Sequence, residues 1–411
     1  MSSAPRLEVL NTGTELLLGS VLNTHLSFLA QQLFPLGLRI QRQTTVPDGS
    51  VIRDAILESA PRCEIVLITG GLGPTTDDIT REIVAGLTNR PLAYDDSIFQ
   101  KIRARFQRRG IVLTERISRQ AYVPQGAIVL ANDFGTAPGL YMPAVNGMPH
   151  LFLLPGPPRE LAPMFSTHAV PILRGLVPPN DLHVRIFRTT GIGESQVEKT
   201  VGEELLAIAG LELGYCARMG EVDLRVLGSR NAVNAAEKII RSGLEQYIFS
   251  DEAKELEEVV IELLRDKSAT LAVAESCTGG LLADRLTDVP GSSAVFLEGS
   301  VTYSNEAKTR SLGVPVELLS SVGAVSKEVA SAMAEGALKK SGATYSLSTT
   351  GIAGPTGGTP GKPLGTVYVG LASRYQETCV EKLFFPTDRR SFKRICTQYA
   401  LEMLRRRIQE E

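Results

Sequence analysis

Short apolar runs that end in glycine alternate with helical segments along the first third of the chain. LEVLNTG (residues 7–13) and EIVLITGG (residues 64–71) are runs of this kind. Residues 15–36 carry leucines at helical spacings, which predicts a helix over that stretch. Continuous apolar strands are typical of parallel sheets that are buried on both faces. The βαβαβ order therefore predicts an α/β fold with a doubly wound sheet and ligands at the carboxyl ends of its strands.

The rest of the chain divides into two further regions. A Pro-rich stretch, PILRGLVPPND (residues 171–181), precedes a short set of predicted strands and helices. The amphipathic segment DEAKELEEVVIELLRDK (residues 251–267) then opens a third α/β region, which closes with a helix from about residue 389 to 408. We therefore predict a doubly wound domain over residues 1–175, a small α/β module over 176–250, and an α/β domain over 251–411.

Composition excludes several classes of protein. The 43 basic and 45 acidic residues give a net charge of −2, and there is no tryptophan. A dedicated nucleic-acid binder usually carries a basic excess, so no nucleic-acid partner is expected. The five cysteines form no CxxC pair, and no apolar run approaches the roughly 20 residues that span a bilayer. These features predict a reduced, cytoplasmic protein with neither a signal peptide nor a membrane partner.

A candidate nucleophile lies in AESCTGG (residues 274–280), where a predicted strand meets a Gly-rich helix start that favours anions. Ser276 and Cys277 are both possible nucleophiles. No histidine occurs beyond His183, so a local Ser-His or Cys-His pair is excluded. The remaining arrangement is a serine activated by a desolvated lysine, for which we select Lys308, with Tyr303 in the same relay. The alternatives are a tight turn with a packed cysteine, and a lysine on an exposed helix face.

Two further segments of the C-terminal region favour binding of an anion. STTGIAGPTGGTPGKPLG (residues 348–365) follows a strand, and its Thr350 and Gly351 are placed to line an oxyanion hole or a phosphate. PTDRRSFKR (residues 386–394) opens the last helix, with Asp388 as the predicted N-cap and basic residues that could hold a phosphate. A flexible loop and a solvated basic surface are the alternative interpretations.

The N-terminal region offers a phosphate site with acidic neighbours. GGLGPTTDDIT (residues 70–80) contains Gly70, Gly71 and Gly73, whose backbone can cradle a phosphate. Asp77 and Asp78 follow at once, and carboxylates there can hold a hard divalent cation.

Glu15 and Asp48 also follow predicted strands and are expected to meet the same crevice. Each acidic residue alone is more often a helix cap.

The C-terminal motifs resemble a known family. AESCTGGLLADRLTDVPGSSAVFLEGSVTYSNEAK, TTGIAGPTGG and GTVYVGLAS are similar to the CinA C-terminal domain over about residues 255–411. The resemblance implies a nicotinamide-nucleotide amidase that converts nicotinamide mononucleotide to nicotinate mononucleotide and ammonia.

The same resemblance assigns a role to each matched residue. It implies Ser276 as nucleophile, with Lys308 and Tyr303 as its partners. It further implies that contacts to the substrate or to the oxyanion are made by Gly279, Thr350, Gly351 and Arg390.

The N-terminal motifs, together with LPGPPREL (residues 154–161), resemble the molybdopterin-binding domain of molybdenum-cofactor synthesis proteins over about residues 5–175, and its CinA branch most closely. That branch implies hydrolysis of ADP-ribose to AMP and ribose 5-phosphate with a divalent metal, such as Mg²⁺. Asp77, Asp78 and Glu15 are the implied ligands. Many relatives carry an aspartate where this chain has Thr14. If that aspartate is a metal ligand in them, Glu15 has to supply the carboxylate in this chain.

The two resemblances together imply a bifunctional enzyme of pyridine-nucleotide salvage that acts on small nucleotides. They also imply a homodimer, and no cofactor for the amidase domain. Two alternatives stay open from the sequence: a molybdopterin-binding or molybdenum-cofactor protein, and a non-enzymatic accessory protein of competence or DNA damage.

Overall fold

The computed structural model describes residues 4–108, 110, 115–178, 181–252 and 254–411. The chain forms two compact units, Met1–Leu182 and His183–Glu411. The strands of the first unit are β1 (Leu7–Thr12), β2 (Ile40–Val46), β3 (Ile65–Thr69), β4 (Leu92–Tyr94), β5 (Tyr122–Pro124), β6 (Ile128–Leu130), β7 (Gly139–Met142) and β8 (His150–Leu154). Its helices are α1 (Thr14–Leu17), α2 (His25–Leu33), α3 (Val51–Ser59), α4 (Thr80–Leu87), α5 (Asp96–Arg108), α6 (Glu115–Ser118), α7 (Pro158–Met164) and α8 (Val170–Leu176).

The main sheet of the first unit has the strand order β2-β1-β3-β8-β7-β6. Strands β2, β1, β3 and β8 run parallel, whereas β7 and β6 continue the sheet as antiparallel strands. The predicted α/β architecture is therefore confirmed, with an antiparallel edge on its parallel core. The carboxyl ends of β1, β3 and β8 lie side by side, which is where such sheets form ligand crevices.

The apolar strands of this sheet are buried on both faces. On β3, Val66 and Ile68 pack into one core layer, whereas Ile65 and Leu67 pack into the other. Side chains alternate along a strand, so a strand covered on both faces must be apolar at every position. This alternation explains the uninterrupted apolar run that predicted the strand.

The predicted single helix over residues 15–36 is wrong. The chain forms α1 and α2 there, and a turn separates them. Gly19 adopts a φ of 72°, and the side-chain oxygen of Asn23 accepts the N–H of His25 at 3.0 Å. Leu18 and Leu22 are exposed and pack into no core layer. Helical spacing alone did not reveal that the apolar residues of this stretch lie on two separate segments.

The second unit begins with a small antiparallel sheet that carries two helices. Its elements are β9 (His183–Thr190), α9 (Glu194–Leu206), β10 (Glu212–Arg218), β11 (Glu221–Gly228), α10 (Arg230–Leu244) and β12 (Ile248–Ser250). The strand order is β10-β11-β9-β12. Leu224 and Val226 of β11 point to the same face and pack with Val201 of α9 and Ile240 of α10. These elements lie within residues 176–250, over which the sequence predicts a small α/β module.

The rest of the second unit is a mixed sheet covered by helices. Its elements are α11 (Leu256–Asp266), β13 (Leu271–Glu275), α12 (Leu281–Asp288), β14 (Phe296–Val301), α13 (Asn305–Leu312), α14 (Val316–Val322), α15 (Lys327–Ser341), β15 (Tyr345–Gly351), β16 (Thr366–Ser373), β17 (Cys379–Phe384) and α16 (Arg389–Glu410). The strand order is β14-β13-β15-β16-β17, with β14, β13 and β15 parallel. The predicted N-cap at Asp388 is confirmed, because its carboxylate accepts the N–H groups of Arg390 and Ser391 at 2.9 and 3.1 Å.

A buried ionic cluster joins the two sheets of the second unit. Arg188 of β9 is 1 % exposed and lies 3.0 Å from Glu221, 3.3 Å from Asp223 and 2.7 Å from Glu255. Glu221 in turn accepts a hydrogen bond from Gln398 of α16 at 2.5 Å. Arg188, Glu221 and Asp223 of the module are buried, and they are linked to the C-terminal part through the half-exposed Glu255 and through Gln398.

We predict that Arg188→Met lowers the free energy of unfolding of the second unit by about 3 kcal/mol or more. Removing one partner of a buried ion pair costs about 3–5 kcal/mol, because its carboxylates stay buried without their cation. Arg185→Met is the matched control on the same strand. Arg185 is more exposed and pairs with Glu237 and Asp251, so its loss should cost at most about 1 kcal/mol. Urea unfolding of the full chain compares the two variants, and equal losses would contradict the assignment.

Candidate functional site

Ser276 lies in the turn between β13 and α12. Its N–H donates to the carbonyl of Thr349 on β15 at 2.9 Å. Two residues on, the hydroxyl of Thr278 contacts that of Thr349 at 2.7 Å inside the core. Ser276 itself is only half-buried. The turn is thus anchored to the neighbouring strand while its serine remains accessible.

Lys308 of α13 reaches into this turn from the side of β14. Its Nζ lies 3.0 Å from the Oγ of Ser276 and 2.8 Å from the carbonyl oxygen of Thr302. The side chain is 1 % exposed, which contradicts the alternative of a solvated helix lysine. Burial lowers the pKa of Lys308 below that of an ordinary lysine. The arrangement provides a hydroxyl nucleophile beside an amine that can become neutral and accept its proton.

Cys277 packs into the hydrophobic core of this domain. It is buried in the core cluster that also contains Cys396 of α16. Burial and the contact with Cys277 raise the pKa of the Cys396 thiol. The packed-cysteine interpretation therefore describes Cys277 alone, whereas Ser276 is the residue beside Lys308.

The N-terminus of α12 is occupied by a side chain of the protein itself. The carboxylate of Glu275, which is fully buried, accepts the N–H groups of Gly280, Leu282 and Ala283 at 2.8–3.1 Å. The expectation that this helix start offers its N–H groups to an anion is therefore wrong. The N–H of Gly279 is also used, by the carbonyl of Ser276 at 3.2 Å.

Gly279 lies beside a basic residue of α16. It adopts a φ of 61°, and a Cβ placed on it would lie 3.6 Å from the Nζ of Lys393.

Thr350 and Gly351 end β15 beside the Ser276 turn. The Thr350 hydroxyl donates to the carbonyl of Ala324 at 2.8 Å, so this side chain serves the fold. The N–H of Ile352 donates to the carbonyl of Thr366 on β16. Hydrogen-bonded and non-hydrogen-bonded pairs alternate between antiparallel strands, so the preceding pair, Gly351 with Val367, is not hydrogen-bonded. The N–H of Gly351 consequently points away from β16, toward the side on which Ser276 lies. Of the two predicted oxyanion residues, Gly351 has the suitable backbone donor.

Tyr303 and the basic start of α16 form the rim of the site. The Tyr303 hydroxyl accepts a hydrogen bond from Arg389 at 2.7 Å, and Arg389 also donates to the carbonyl of Gly354 at 3.0 Å. Tyr303 is 60 % exposed, and its part in the proton relay stays a prediction. The sequence offers Arg389, Arg390 and Lys393 as possible phosphate ligands, and the family resemblance implies Arg390 among them. The structure brings Arg389 and Lys393 to the loops around Ser276, and the role of Arg390 stays a prediction.

The N-terminal crevice has a volume of about 370 Å³ and lies at the carboxyl ends of β1, β3 and β8. It brings together every predicted residue of that region. The lining residues that sequence analysis selected are Glu15, Asp48, Gly70, Gly71, Gly73, Asp77 and Asp78.

The glycines of the crevice allow a very close approach of backbone to side chains. A Cβ on Gly70 would lie 2.5 Å from the Oγ1 of Thr12, and one on Gly71 would lie 2.0 Å from the Oγ1 of Thr80. The N–H of Gly70 donates to the carbonyl of Leu154 at 2.9 Å. Gly70 therefore shapes the turn, and the phosphate contacts predicted for Gly71 and Gly73 stay predictions.

Two of the carboxylates are held by threonines. Asp48 accepts from the N–H and the hydroxyl of Thr14 at 3.0 and 3.2 Å, and Asp78 accepts from the N–H of Thr75 at 2.9 Å and from its hydroxyl. Within the described ranges, no group of three or more His, Cys, Asp or Glu residues is arranged to hold a metal ion. Oxygen ligands of this kind still suit Mg²⁺, which commonly takes one or two carboxylates and completes its shell with substrate phosphates and water.

Sequence reasoning missed four polar residues of the crevice: Thr12, Gln120, Thr136 and Glu160. Glu160 belongs to the LPGPPREL motif, and Gln120 precedes β5. The position of the motif directly after β8, which neighbours β3, was a usable signal for Glu160. Gln120 comes from a remote segment, and its place in the crevice depends on tertiary packing.

Three family models match successive parts of the chain. The family model described as CinA C-terminal domain matches residues 253–408. The model described as probable molybdopterin binding domain matches residues 8–175, and the model described as damage-inducible protein CinA KH domain matches residues 184–250. The predicted boundaries at 175 and 250 remain predictions.

Relatives resemble the chain over almost its full length. A CinA-like protein of Akkermansia muciniphila is 48 % identical over 396 residues, which is 96 % of each chain. A putative competence-damage inducible protein of Symbiobacterium thermophilum is 44 % identical over 418 residues, covering 97 % of this chain and 98 % of its own. The chain belongs to the CinA family.

Among solved structures, the competence/damage inducible protein CihA of Agrobacterium tumefaciens is 40 % identical over 38 % of this chain and 96 % of its own, with a TM-score of 0.36. The helices of the described residues include none with the length and apolar character required to cross a bilayer.

We predict that Lys308→Met changes the pH dependence of stability. The pKa of Lys308 is lowered in the folded protein, whereas in the unfolded chain it is about 10.4. At a pH between these two values only the unfolded chain binds the proton, so the free energy of unfolding of wild type rises with pH. The variant lacks this rise. Its free energy of unfolding relative to wild type should therefore fall as pH increases from 7 to 10 in urea titrations. Lys339→Met, an exposed change on α15, is the matched control variant. A constant difference for Lys308→Met would mean that the Lys308 pKa is not lowered.

Proposed function

We propose that the Ser276 site deamidates nicotinamide mononucleotide to nicotinate mononucleotide and ammonia. The observation that carries this proposal is the buried amine of Lys308, 3.0 Å from the Ser276 hydroxyl. A Ser-Lys pair suits acyl transfer, because the amine can activate the hydroxyl without a histidine. Membership of the CinA family supports the same assignment.

The reaction proceeds through an acyl-enzyme. Neutral Lys308 takes the hydroxyl proton while Ser276 Oγ attacks the carboxamide carbon, and the N–H of Gly351 stabilises the oxyanion. Lys308 returns the proton to the amide nitrogen, the C–N bond breaks, and ammonia leaves. Water then attacks the Ser276 ester with Lys308 again as base, which releases the carboxylate and restores the enzyme. The pair supplies both nucleophile and base, so we expect no metal requirement.

The substrate phosphate is matched by the cations at the start of α16. Arg389 and Lys393 flank the loops around Ser276, and Arg390 is on the same turn of the helix. A pyridine nucleotide presents its phosphate at the opposite end from its carboxamide. Binding of the phosphate at this rim directs the carboxamide toward Ser276.

We predict that Ser276→Ala lowers amidase turnover by at least a thousandfold, because Lys308 then has no hydroxyl to activate. Ammonia release from nicotinamide mononucleotide measures the rate. Cys277→Ala is the matched control at the next residue, and it should retain turnover within about threefold because its side chain lies in the core. Loss of activity in Cys277→Ala with retention in Ser276→Ala would reverse the assignment.

We further propose that the N-terminal crevice hydrolyses ADP-ribose to AMP and ribose 5-phosphate. The convergence of Gly71, Gly73, Asp77 and Asp78 in one crevice supports it. A divalent cation such as Mg²⁺, when held there by Asp77, Asp78 or Glu15, supplies charge neutralisation for the pyrophosphate. The neighbouring Thr75 side chain lowers the pKa of Asp77, which favours the ionised carboxylate.

We predict that Asp78→Asn slows ADP-ribose hydrolysis at least tenfold and raises the Mg²⁺ concentration needed for half-maximal rate. Asparagine keeps an oxygen acceptor for Thr75, so the turn survives while the charge is lost. Release of AMP at limiting and saturating Mg²⁺ measures both effects. Asp54→Asn, an exposed change on α3, should leave them unchanged.

A chelator should stop ADP-ribose hydrolysis while amidase activity persists. An Asp78→Asn enzyme with wild-type metal dependence would remove Asp78 from the site and leave it a structural turn residue.

A further inference from the structure

Two buried polar atoms on the walls of the N-terminal crevice have no hydrogen-bond partner among the described residues. Gln120 is 1 % exposed, and its Oε1 accepts no hydrogen bond from the described residues. Thr12 is 5 % exposed, and its Oγ1 also has no partner within the described part of the chain. Both residues line the crevice. Buried polar groups are almost always hydrogen-bonded in native proteins, so two unpaired atoms in one cavity indicate the ligand groups that the cavity binds.

The amide orientation of Gln120 determines which ligand group it needs. Its Nε2 donates to the carbonyl of Leu72 at 3.3 Å. A carbonyl oxygen only accepts, so the reversed amide would place two oxygens against each other. The unpaired atom of Gln120 is therefore an acceptor, and it needs a donor such as a hydroxyl.

The position of Thr12 determines a second contact. Its Oγ1 lies against the Gly70–Gly71 turn, 2.5 and 3.4 Å from where the Cβ atoms of those glycines would be. The turn is the part of the crevice whose backbone can approach an anion closely. A hydroxyl at this point can donate to a phosphate oxygen.

We propose that the crevice recognises a sugar phosphate at two points, with Thr12 donating to the phosphate and Gln120 Oε1 accepting from a hydroxyl of the sugar. This inference rests on the proposed ADP-ribose hydrolysis. It identifies the phosphate and a sugar hydroxyl as the groups of the substrate that the crevice recognises. A ligand without the hydroxyl leaves Gln120 unpaired in the complex, and sites built around such a contact reject that ligand strongly. Gln120 is thus a specificity-determining residue for ribosyl over deoxyribosyl compounds.

A buried water is the competing explanation for the unpaired atoms. Arg81 of α4 is 2 % exposed, and one guanidinium nitrogen also lacks a partner among the described residues. A water shared by Arg81 and Gln120 would satisfy both without a ligand. In that case Gln120 would affect stability and have no effect on the choice of ligand.

The test is calorimetric binding of AMP, 2′-deoxy-AMP and 3′-deoxy-AMP to the full chain. We expect wild type to bind AMP at least tenfold more tightly than one of the deoxy compounds. Gln120→Met keeps the length of the side chain and removes the acceptor. It should weaken the binding of AMP at least tenfold and change the affinity for that deoxy compound by less than twofold. The preference for AMP over the deoxy compound should therefore disappear. Gln31→Met, an exposed change on α2, should preserve wild-type selectivity.

Thr12→Val tests the phosphate contact separately. It should weaken all three nucleotides by a similar factor, at least fivefold, and weaken inorganic phosphate in parallel. A Gln120→Met protein with unchanged selectivity, whatever its thermal stability, would overturn the sugar contact. Unchanged phosphate binding in Thr12→Val would overturn the phosphate contact, and absence of AMP binding to wild type would overturn both.

Parallel assays of ADP-ribose hydrolysis separate this inference from the proposed function. Selective AMP binding without hydrolysis would reject the activity and retain the sugar-phosphate site. Hydrolysis with selectivity that does not depend on Gln120 would retain the activity and reject the site.

Discussion

The burial of one lysine amine beside one serine hydroxyl is the interaction on which the C-terminal site depends. Lys308 Nζ contacts Ser276 Oγ and the carbonyl of Thr302, and it is almost completely removed from water. Desolvation disfavours the charged amine, which is what a lysine base requires. The surrounding structure maintains this arrangement. A carbonyl of β15 accepts the N–H of Ser276, and the Glu275 carboxylate accepts N–H groups at the start of the helix that follows.

The two candidate sites handle charge in opposite ways. The C-terminal site buries a single amine and places further cations on its rim, an arrangement that suits a phosphorylated substrate with an uncharged reacting group. The N-terminal crevice gathers carboxylates and restrains Asp48 and Asp78 through threonines, an arrangement that suits a cation and a pyrophosphate together. Thr14 in this chain provides a hydrogen bond to Asp48 where an aspartate would bring a second carboxylate.

Features governed by local pattern could be predicted from the sequence. The uninterrupted apolar run before Gly70 predicts a strand buried on both faces. The lack of histidine beyond His183 indicates a lysine as the base for Ser276. Features governed by tertiary contact could not. The spacing of leucines did not reveal the break between α1 and α2, and the capping of α12 by Glu275 depends on a buried side chain turning back onto its own helix. Gln120 reaches the crevice from a remote segment.

Site-mapped labelling tests whether Lys308 is the base for Ser276 without assuming a substrate. A fluorophosphonate reacts with an activated serine, and digestion with mass spectrometry locates the label while the rate is followed against pH. The expected result is a label on Ser276. Its rate should rise with pH to a midpoint below the ordinary lysine value of about 10.4 and should collapse in Lys308→Met. A label on Cys277, or a rate on Ser276 that does not depend on Lys308, would contradict it.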